Sequence, residues 1–328
     1  MNPKHLPLLV NPKNEQPLSL KDEVMVNGRV QTGVLYDSTT QDQYPIVNFI
    51  PRFVSEDNYA QNFGFQWNLH DKTQYDNEKY NISGKRFAEE TRWGTQLNGE
   101  LMLEVGSGAG RFTPHALATG ATLCSLDYSN AVEANYRLNG AHENLLLVQA
   151  SVYEMPFKKT SFDKVLCIGV IQHTPDPKQS FMELTKMLKS KGKITTDIYK
   201  KTFFSYIFNT RYIVRQFTKG TNPEKLYKNV KRYIDFMWPL ARIIRKIPKI
   251  GPSINWRLMI ADYSQQFKNF DDKTLKEWAY LDSMDMLGPQ YDFPQTLKTF
   301  EQWHKEAGLT NYEVHYGHNG IEGRGEKP

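Results

Sequence analysis

The chain predicts an α/β fold built on a doubly wound sheet, and three observations carry that expectation. An apolar run, Leu101-Met-Leu-Glu-Val105, meets the glycine turn Gly106-Ser-Gly-Ala-Gly110 and continues into a helix-like stretch, Phe112 to Ala118. Strand, glycine turn and helix form the opening unit of such a domain, with the ligand at the strand's carboxyl end. Further strand-like runs follow at 122–126, 145–149, 165–168 and 194–199, with room for connecting helices. The first of these closes on an acid, Asp127, about 20 residues beyond the glycines, where this architecture presents a carboxylate to ribose hydroxyls.

Composition narrows the class. The length of 328 residues allows one large domain with additions, or two domains. Two cysteines, Cys124 and Cys167, both inside apolar runs, exclude a disulfide framework and a four-cysteine zinc site. They point to a reducing cytoplasm. The start, Met1-Asn-Pro-Lys-His5, has no cationic segment leading into an apolar one, so no signal peptide is expected. No run reaches the ~18 apolar residues of a membrane span. Neither a Walker loop nor a G-x-S-x-G elbow nor paired metal ligands appear, so no metal is expected.

The glycine spacing distinguishes between ligands. Dinucleotide folds use G-x-G-x-x-G, which seats a pyrophosphate on a helix N-terminus. Here it is G-x-G-x-G, with Glu104 two positions before the first glycine. That pattern resembles motif I of the class I S-adenosylmethionine-dependent methyltransferases (type 11-like), and with the runs that follow it covers about residues 95–200. The resemblance implies a Rossmann-like fold with a seven-stranded sheet, and S-adenosyl-L-methionine as cofactor. It assigns the cofactor site to Glu104, Gly106, Ser107, Gly108, Gly110 and Arg111 at the turn, and to Asp127 and Tyr128 after the second strand. Ser151 and Val152 would lie near adenine, and Gly169 beside the methyl. Where the family usually has an Asp accepting from the adenine amino group, this chain has Ser151, which can accept the same bond without charge.

Four segments are expected: 1–60, 61–200 as the cofactor-binding core, 201–295 as a helical cap, and 296–328 closing the sheet. The first is rich in Pro, Asn, Asp and Thr and shows no long periodic segment. Its close, Tyr44-Pro-Ile-Val-Asn-Phe-Ile-Pro-Arg-Phe53, resembles that of Trm112-type zinc ribbons. The cysteine knuckles of that family would fall on Asn11-Pro-Lys-Asn14 and near Asp37 and Thr40. Amides and hydroxyls cannot replace thiolates at a structural zinc, which implies a metal-free remnant. Tyr59, Phe63, Phe65, Trp67, Tyr75 and Tyr80 either cap the site or pack on the main domain. Ile82 to Trp93 then reads as an amphipathic helix.

Phe181 to Leu188 has helical spacing, and Lys191-Gly-Lys193 reads as the turn into the fifth strand. Residues 200–250 hold thirteen Lys or Arg against two acids, Glu224 and Asp235, in a chain whose net charge is only +5. Aromatics interleave with the cations: Phe203, Phe204, Tyr206, Phe208, Tyr212, Phe217, Tyr227, Tyr233, Phe236 and Trp238. The piece 236–247 has one apolar and one cationic side. Leu297 to Ala307 reads as a helix closed by Gly308, followed by the last two strands at 310–316 and 320–326.

The chemistry implied is in-line displacement on a sulfonium, which needs alignment above all. Gln172 and His173, in the loop after the fourth strand, are the candidate catalytic residues; the histidine has the pKa range to take a hydroxyl proton. It can equally order that loop. The acceptor is expected to be a small molecule, a glycan or a lipid-linked compound, anionic if the basic stretch meets it, and methylated at oxygen. That stretch can also be a solvated face or lie on an anionic membrane at the inner surface. Nucleic acid ranks lower, because no RNA-binding motif accompanies the charge. A cofactor-binding module without catalysis is the alternative of a different class.

Overall fold

The computed structural model describes residues 1–55, 58–201 and 210–328. Phe203, Phe204, Tyr206 and Phe208 lie outside the described residues. The chain divides into two compact units, one comprising Met1–Asn58, Asp76–Lys200 and Tyr291–Pro328, the other Tyr59–Tyr75 and Lys201–Gln290.

The first unit opens with a four-stranded antiparallel sheet, β1 (Ser19–Val26), β2 (Arg29–Tyr36), β3 (Gln43–Val47) and β4 (Ile50–Pro51). Its signal lies in two-residue turns rather than in periodicity. Asn27 and Gly28 both take positive φ between Val26 and Arg29, as a twist-matched hairpin demands. Asn48 and Phe49 repeat that turn between β3 and β4. Phe49 is bulky for a positive φ, and its ring stacks on Tyr136 at 5.2 Å. Two-residue turns opening on asparagine thus organise a segment that shows no long periodicity.

The four positions that the zinc-ribbon resemblance assigns to thiolates converge. Asp37 Oδ2 accepts from Asn11 Nδ2 at 2.8 Å, Asn14 Nδ2 at 2.7 Å and Thr40 Oγ1 at 3.0 Å. Asn11 Nδ2 also reaches Thr40 Oγ1 at 3.2 Å, and Tyr44 Oη donates to Asn11 Oδ1 at 2.9 Å. Amide N–H groups point at the carboxylate, and these bonds hold Asp37 well below the usual carboxylate range. This donor set does not fit a zinc ion.

The main sheet has seven strands: β5 (Leu101–Val105), β6 (Thr122–Asp127), β7 (Leu145–Gln149), β8 (Phe162–Cys167), β9 (Leu188–Ile198), β10 (Thr310–Gly317) and β11 (Gly320–Glu326). Their spatial order is β10-β11-β9-β8-β5-β6-β7. All pairs from β9 to β7 are parallel, while β11 runs antiparallel to both neighbours. Order reverses between β5 and β8, and an open α/β sheet binds its ligand at that switch point. The expected turn at Lys191–Lys193 is instead a bulge within β9: Lys191 takes φ 64°, and the register against β8 shifts there.

Alternate residues of the central strands bury on opposite faces. Leu103, Val105, Leu126 and Val165 join Phe181, Leu184, Phe300 and Trp303 in one cluster. Met102, Leu123 and Leu166 join Phe87, Ala116 and Val132 in another. These outer residues come from α5 (Pro177–Lys186) and a late helix (Leu297–Glu306), and from α2 (Ser83–Thr91), the turn-like α3 (Thr113–Leu117) and α4 (Val132–Asn139). Burial on both faces is what gives these strands their near-continuous apolar runs. Cys124 and Cys167 sit inside the first cluster, where burial pushes both thiols up, so they act as small apolar side chains.

The second unit is helical among the described residues: α1 (Gln61–Leu69), α6 (Thr210–Thr218), α7 (Pro223–Ile244), α8 (Gly251–Arg257) and α9 (Asp272–Leu287). Asn222 caps α7 by accepting from Lys225 N–H, and Asp271 caps α9 through Thr274 N–H. Leu226, Val230, Ile234, Trp238 and Ala241 bury one face of α7, and Trp238 Nε1 donates to Asp272 Oδ2 at 3.0 Å. Phe65 and His70 meet Tyr227 edge to face, so these early rings pack within this unit.

Candidate active site

Two loops meet at the switch point, one after β5 and one after β8. In the first, backbone donors are spent internally. Gly106 and Ser107 N–H both bond Leu126 O, at 2.8 and 3.1 Å, and Gly110 N–H bonds Ser107 O at 2.8 Å. Gly108 N–H bonds Asp127 Oδ2 at 2.8 Å. A turn with these N–H groups taken offers no cradle for phosphate, unlike a dinucleotide turn. Gly106 has φ +75°, and a Cβ there would collide with Val170 Cγ2, so the second loop presses directly on the first.

Acids converge below and beside this turn. Glu104 is buried in β5; its Oε2 accepts from Thr113 Oγ1 at 2.7 Å and Ser125 Oγ at 2.8 Å. Its Oε1 is buried and has no hydrogen-bond partner among the described residues. Burial, with Asp127 adding to it, pushes this carboxyl up to about 7 against those two hydroxyl bonds. Asp127 ends β6 half-buried, with Oδ1 accepting from Ser129 N–H at 2.8 Å and Oγ at 2.7 Å. Burial raises its pKa, and the bonds from Ser129 and Gly108 oppose that. Oδ2, with one bond made, retains acceptor capacity.

Other expected residues fall around this centre. Ser107 Oγ accepts from Asn135 Nδ2 at 3.1 Å, which ties the turn to α4. Arg111 Nε donates to Ser83 Oγ at 2.8 Å, and its guanidinium stands over the Phe112 ring. Tyr128 is half-buried, and its carbonyl accepts from Gln149 Nε2. Ser151 Oγ accepts from Tyr153 N–H at 3.2 Å, and Val152 is buried beside it in sequence.

The second loop carries the candidate catalytic pair. Gly169 takes φ +78° directly after β8, and Ile171–His173 form a single 3-10 turn. Gln172 is fully buried, and neither atom of its amide has a partner among the described residues. Its carbonyl accepts from Phe293 N–H at 2.8 Å. His173 is buried as well; Nδ1 lies 3.0 Å from the Tyr291 carbonyl, and the ring meets Tyr199 edge to face. A carbonyl can only accept, so Nδ1 carries a proton, and the nitrogen open to act as a base is Nε2.

One group of residues escapes a reading by motif. Asp197, at the end of β9, accepts from Gly169 N–H with Oδ1 and from Arg86 Nη2 with Oδ2 at 2.6 Å. Arg86 Nε donates to Glu90 Oε1. Both acids are fully buried. Burial pushes Glu90 upward, because one guanidinium faces two carboxylates and leaves Glu90 Oε2 without a donor among the described residues. Asp197 stands at the carboxyl end of its strand as Asp127 does, which is the signal that could have found it; Arg86 lies 111 positions away with no such mark.

The residues at the switch point suit a cofactor with hydroxyl and ammonium donors and no phosphate. The orphaned Glu104 Oε1 and the remaining Asp127 lone pair supply acceptors, and the turn withholds N–H donors. Among the described residues no group of three or more His, Cys, Asp or Glu could hold a metal ion.

Comparison with known proteins finds similarity to methyltransferases. Residues 103–196 match the family described as a methyltransferase domain. The ubiquinone biosynthesis O-methyltransferase of Pseudomonas entomophila is 26% identical over 140 residues, covering 40% of this chain and 59% of that protein. That of Xanthomonas oryzae pv. oryzae is 29% identical over 136 residues, covering 39% and 56%. The chain therefore spans little more than half the length of these curated relatives. Among solved structures, phosphoethanolamine N-methyltransferase 2 of Haemonchus contortus in complex with S-adenosyl-L-methionine aligns at TM-score 0.43 and 15% identity, over 84% of this chain and 48% of that one.

Proposed function

We propose that this chain, which carries a class I S-adenosylmethionine-dependent methyltransferase domain, transfers a methyl group to oxygen of a small-molecule, glycan or lipid-linked acceptor. When bound, S-adenosylmethionine supplies a methyl already activated on a sulfonium. Asp127 would hold its ribose hydroxyls, Ser151 and Val152 would line adenine, and Glu104 would take an N–H or O–H donor. The chain's remaining task is to align the acceptor and remove its proton.

The observation that carries this reading is the His173–Tyr291 contact. It fixes the ring with Nε2 as the basic nitrogen, in the loop next to the cofactor turn. A hydroxyl acceptor needs such a base, and a ready anion does not. The buried Gln172 amide, with no partner among the described residues, suits a polar contact to a bound ligand in the same loop.

Calorimetry with S-adenosylmethionine tests the cofactor assignment. Wild type should bind, and Asp127→Ala should weaken binding by roughly ten- to hundredfold, the cost of a charged hydrogen-bond partner. Absence of heat with wild type would sink the assignment. Release of S-adenosylhomocysteine on incubation with metabolite and lipid extracts tests catalysis. His173→Gln should abolish release while leaving cofactor affinity unchanged; binding without release from any extract would favour a non-catalytic module.

A further inference from the structure

Helix α7 has two apolar faces, and only one is buried. Tyr233, Phe236, Leu240 and Ile243 recur at intervals of three and four along its outside, about 120° around the helix from the buried row. Phe236 is 82% exposed and Ile243 66%. The row continues past the helix end through Ile247 and Ile250, also exposed. Tyr233 Oη donates to Leu258 O at 2.7 Å, and Thr210 Oγ1 donates to Arg257 O. The start of α6, whose own Ile213 and Phe217 are exposed, is thereby placed near the Tyr233 end of this row.

Cations border the row. Lys228, Arg232, Arg242, Lys246 and Lys249 are all exposed on α7 and the turn after it. The acid among them, Asp235, is engaged by Lys231 at 3.0 Å and Lys276 at 2.7 Å. The inward face owes nothing to this pattern, since Leu226 to Ala241 already anchor the helix.

We propose that this outward face of α7 docks on an anionic lipid bilayer, its apolar row entering the acyl boundary and its cations meeting lipid phosphates. An interfacial helix carries this combination of bulky apolar and Lys/Arg-rich sectors. A second copy of the chain would set the same cations against one another. Single-stranded nucleic acid would use the cations and the two rings, but it leaves Leu240, Ile243, Ile247 and Ile250 without a partner. Among the described residues no helix is long and apolar enough to cross a membrane, so the contact is peripheral. A chain held this way would meet a lipid-linked acceptor at its own surface.

Co-sedimentation of the full chain with vesicles tests the proposal. At low salt it should pellet with a phosphatidylcholine–phosphatidylglycerol mixture, remain in solution with phosphatidylcholine alone, and be released by added salt. The exposed pair Phe236→Ser/Ile243→Ser should lower the bound fraction roughly tenfold, and Arg242→Glu/Lys246→Glu likewise. Thermal melting confirms that each variant folds, and hydrogen exchange over 233–250 should slow only when anionic vesicles are present. Failure of wild type to pellet with anionic vesicles overturns the proposal. So does a dimer in sedimentation velocity that the apolar pair dissolves, which assigns the face to a second copy. Binding of single-stranded RNA that the charge pair abolishes and the apolar pair spares would assign it to nucleic acid.

Discussion

Arg86 Nη2 lies 2.6 Å from Asp197 Oδ2, joining the helix before the sheet to the end of its fifth strand. Through Asp197 the same bond reaches Gly169 N–H, so it bears on the loop holding Gln172 and His173. Removing one member of a buried pair leaves the other uncompensated, which costs about 3–5 kcal/mol. Arg86→Met should therefore lower the melting temperature sharply. Glu90→Gln should not, because the neutral amide relieves the excess of carboxylates around one guanidinium.

The Glu104 carboxyl gives a pH signature. Its folded value of about 7 exceeds the ordinary 4.5, so between these limits the folded chain holds the extra proton. Stability then falls as pH rises through that window, and the loss, ~3 kcal/mol, is complete above it. Glu104→Gln should remove this part of the pH dependence, leaving the variant relatively more stable at pH 8 than at pH 5 when melted beside wild type. Cofactor affinity in wild type should rise across the same window, since an ionised Glu104 favours a cationic ligand. A flat affinity profile in wild type would contradict that role.

Gly106 and Val170 can be separated by a double-mutant cycle. Gly106→Ala meets both a positive φ and the Val170 methyls, and should destabilise by about 2–4 kcal/mol. Adding Val170→Ala should recover the steric part and leave about 1 kcal/mol of backbone strain. Full recovery would mean that φ contributes nothing.

The sheet was legible because its central strands are buried on both faces, which leaves near-continuous apolar runs such as 145–148. The glycine turn after β5 was legible because glycines and a strand-terminal acid are chemically singular. The N-terminal strands were not, since β1 is largely exposed and keeps no clean alternation; their local mark is the pair of asparagine turns at 27–28 and 48–49. The bulge at Lys191 looks like a turn because Lys-Gly-Lys suits either. Long-range partners such as Arg86 and Tyr291 leave no local pattern, for their roles exist only once the strands are in register.

Asn11, Asn14, Asp37 and Thr40 hold the two N-terminal loops with bonds that need neither a cation nor a reduced thiol. Chelators and mild oxidants should leave the chain's melting curve unchanged, whereas Asp37→Ala should loosen residues 11–44 in hydrogen exchange. Acid should do the same, because the depressed Asp37 carboxyl lends its stabilisation only while ionised. In a zinc-starved or oxidised cell, this end of the molecule would keep its shape.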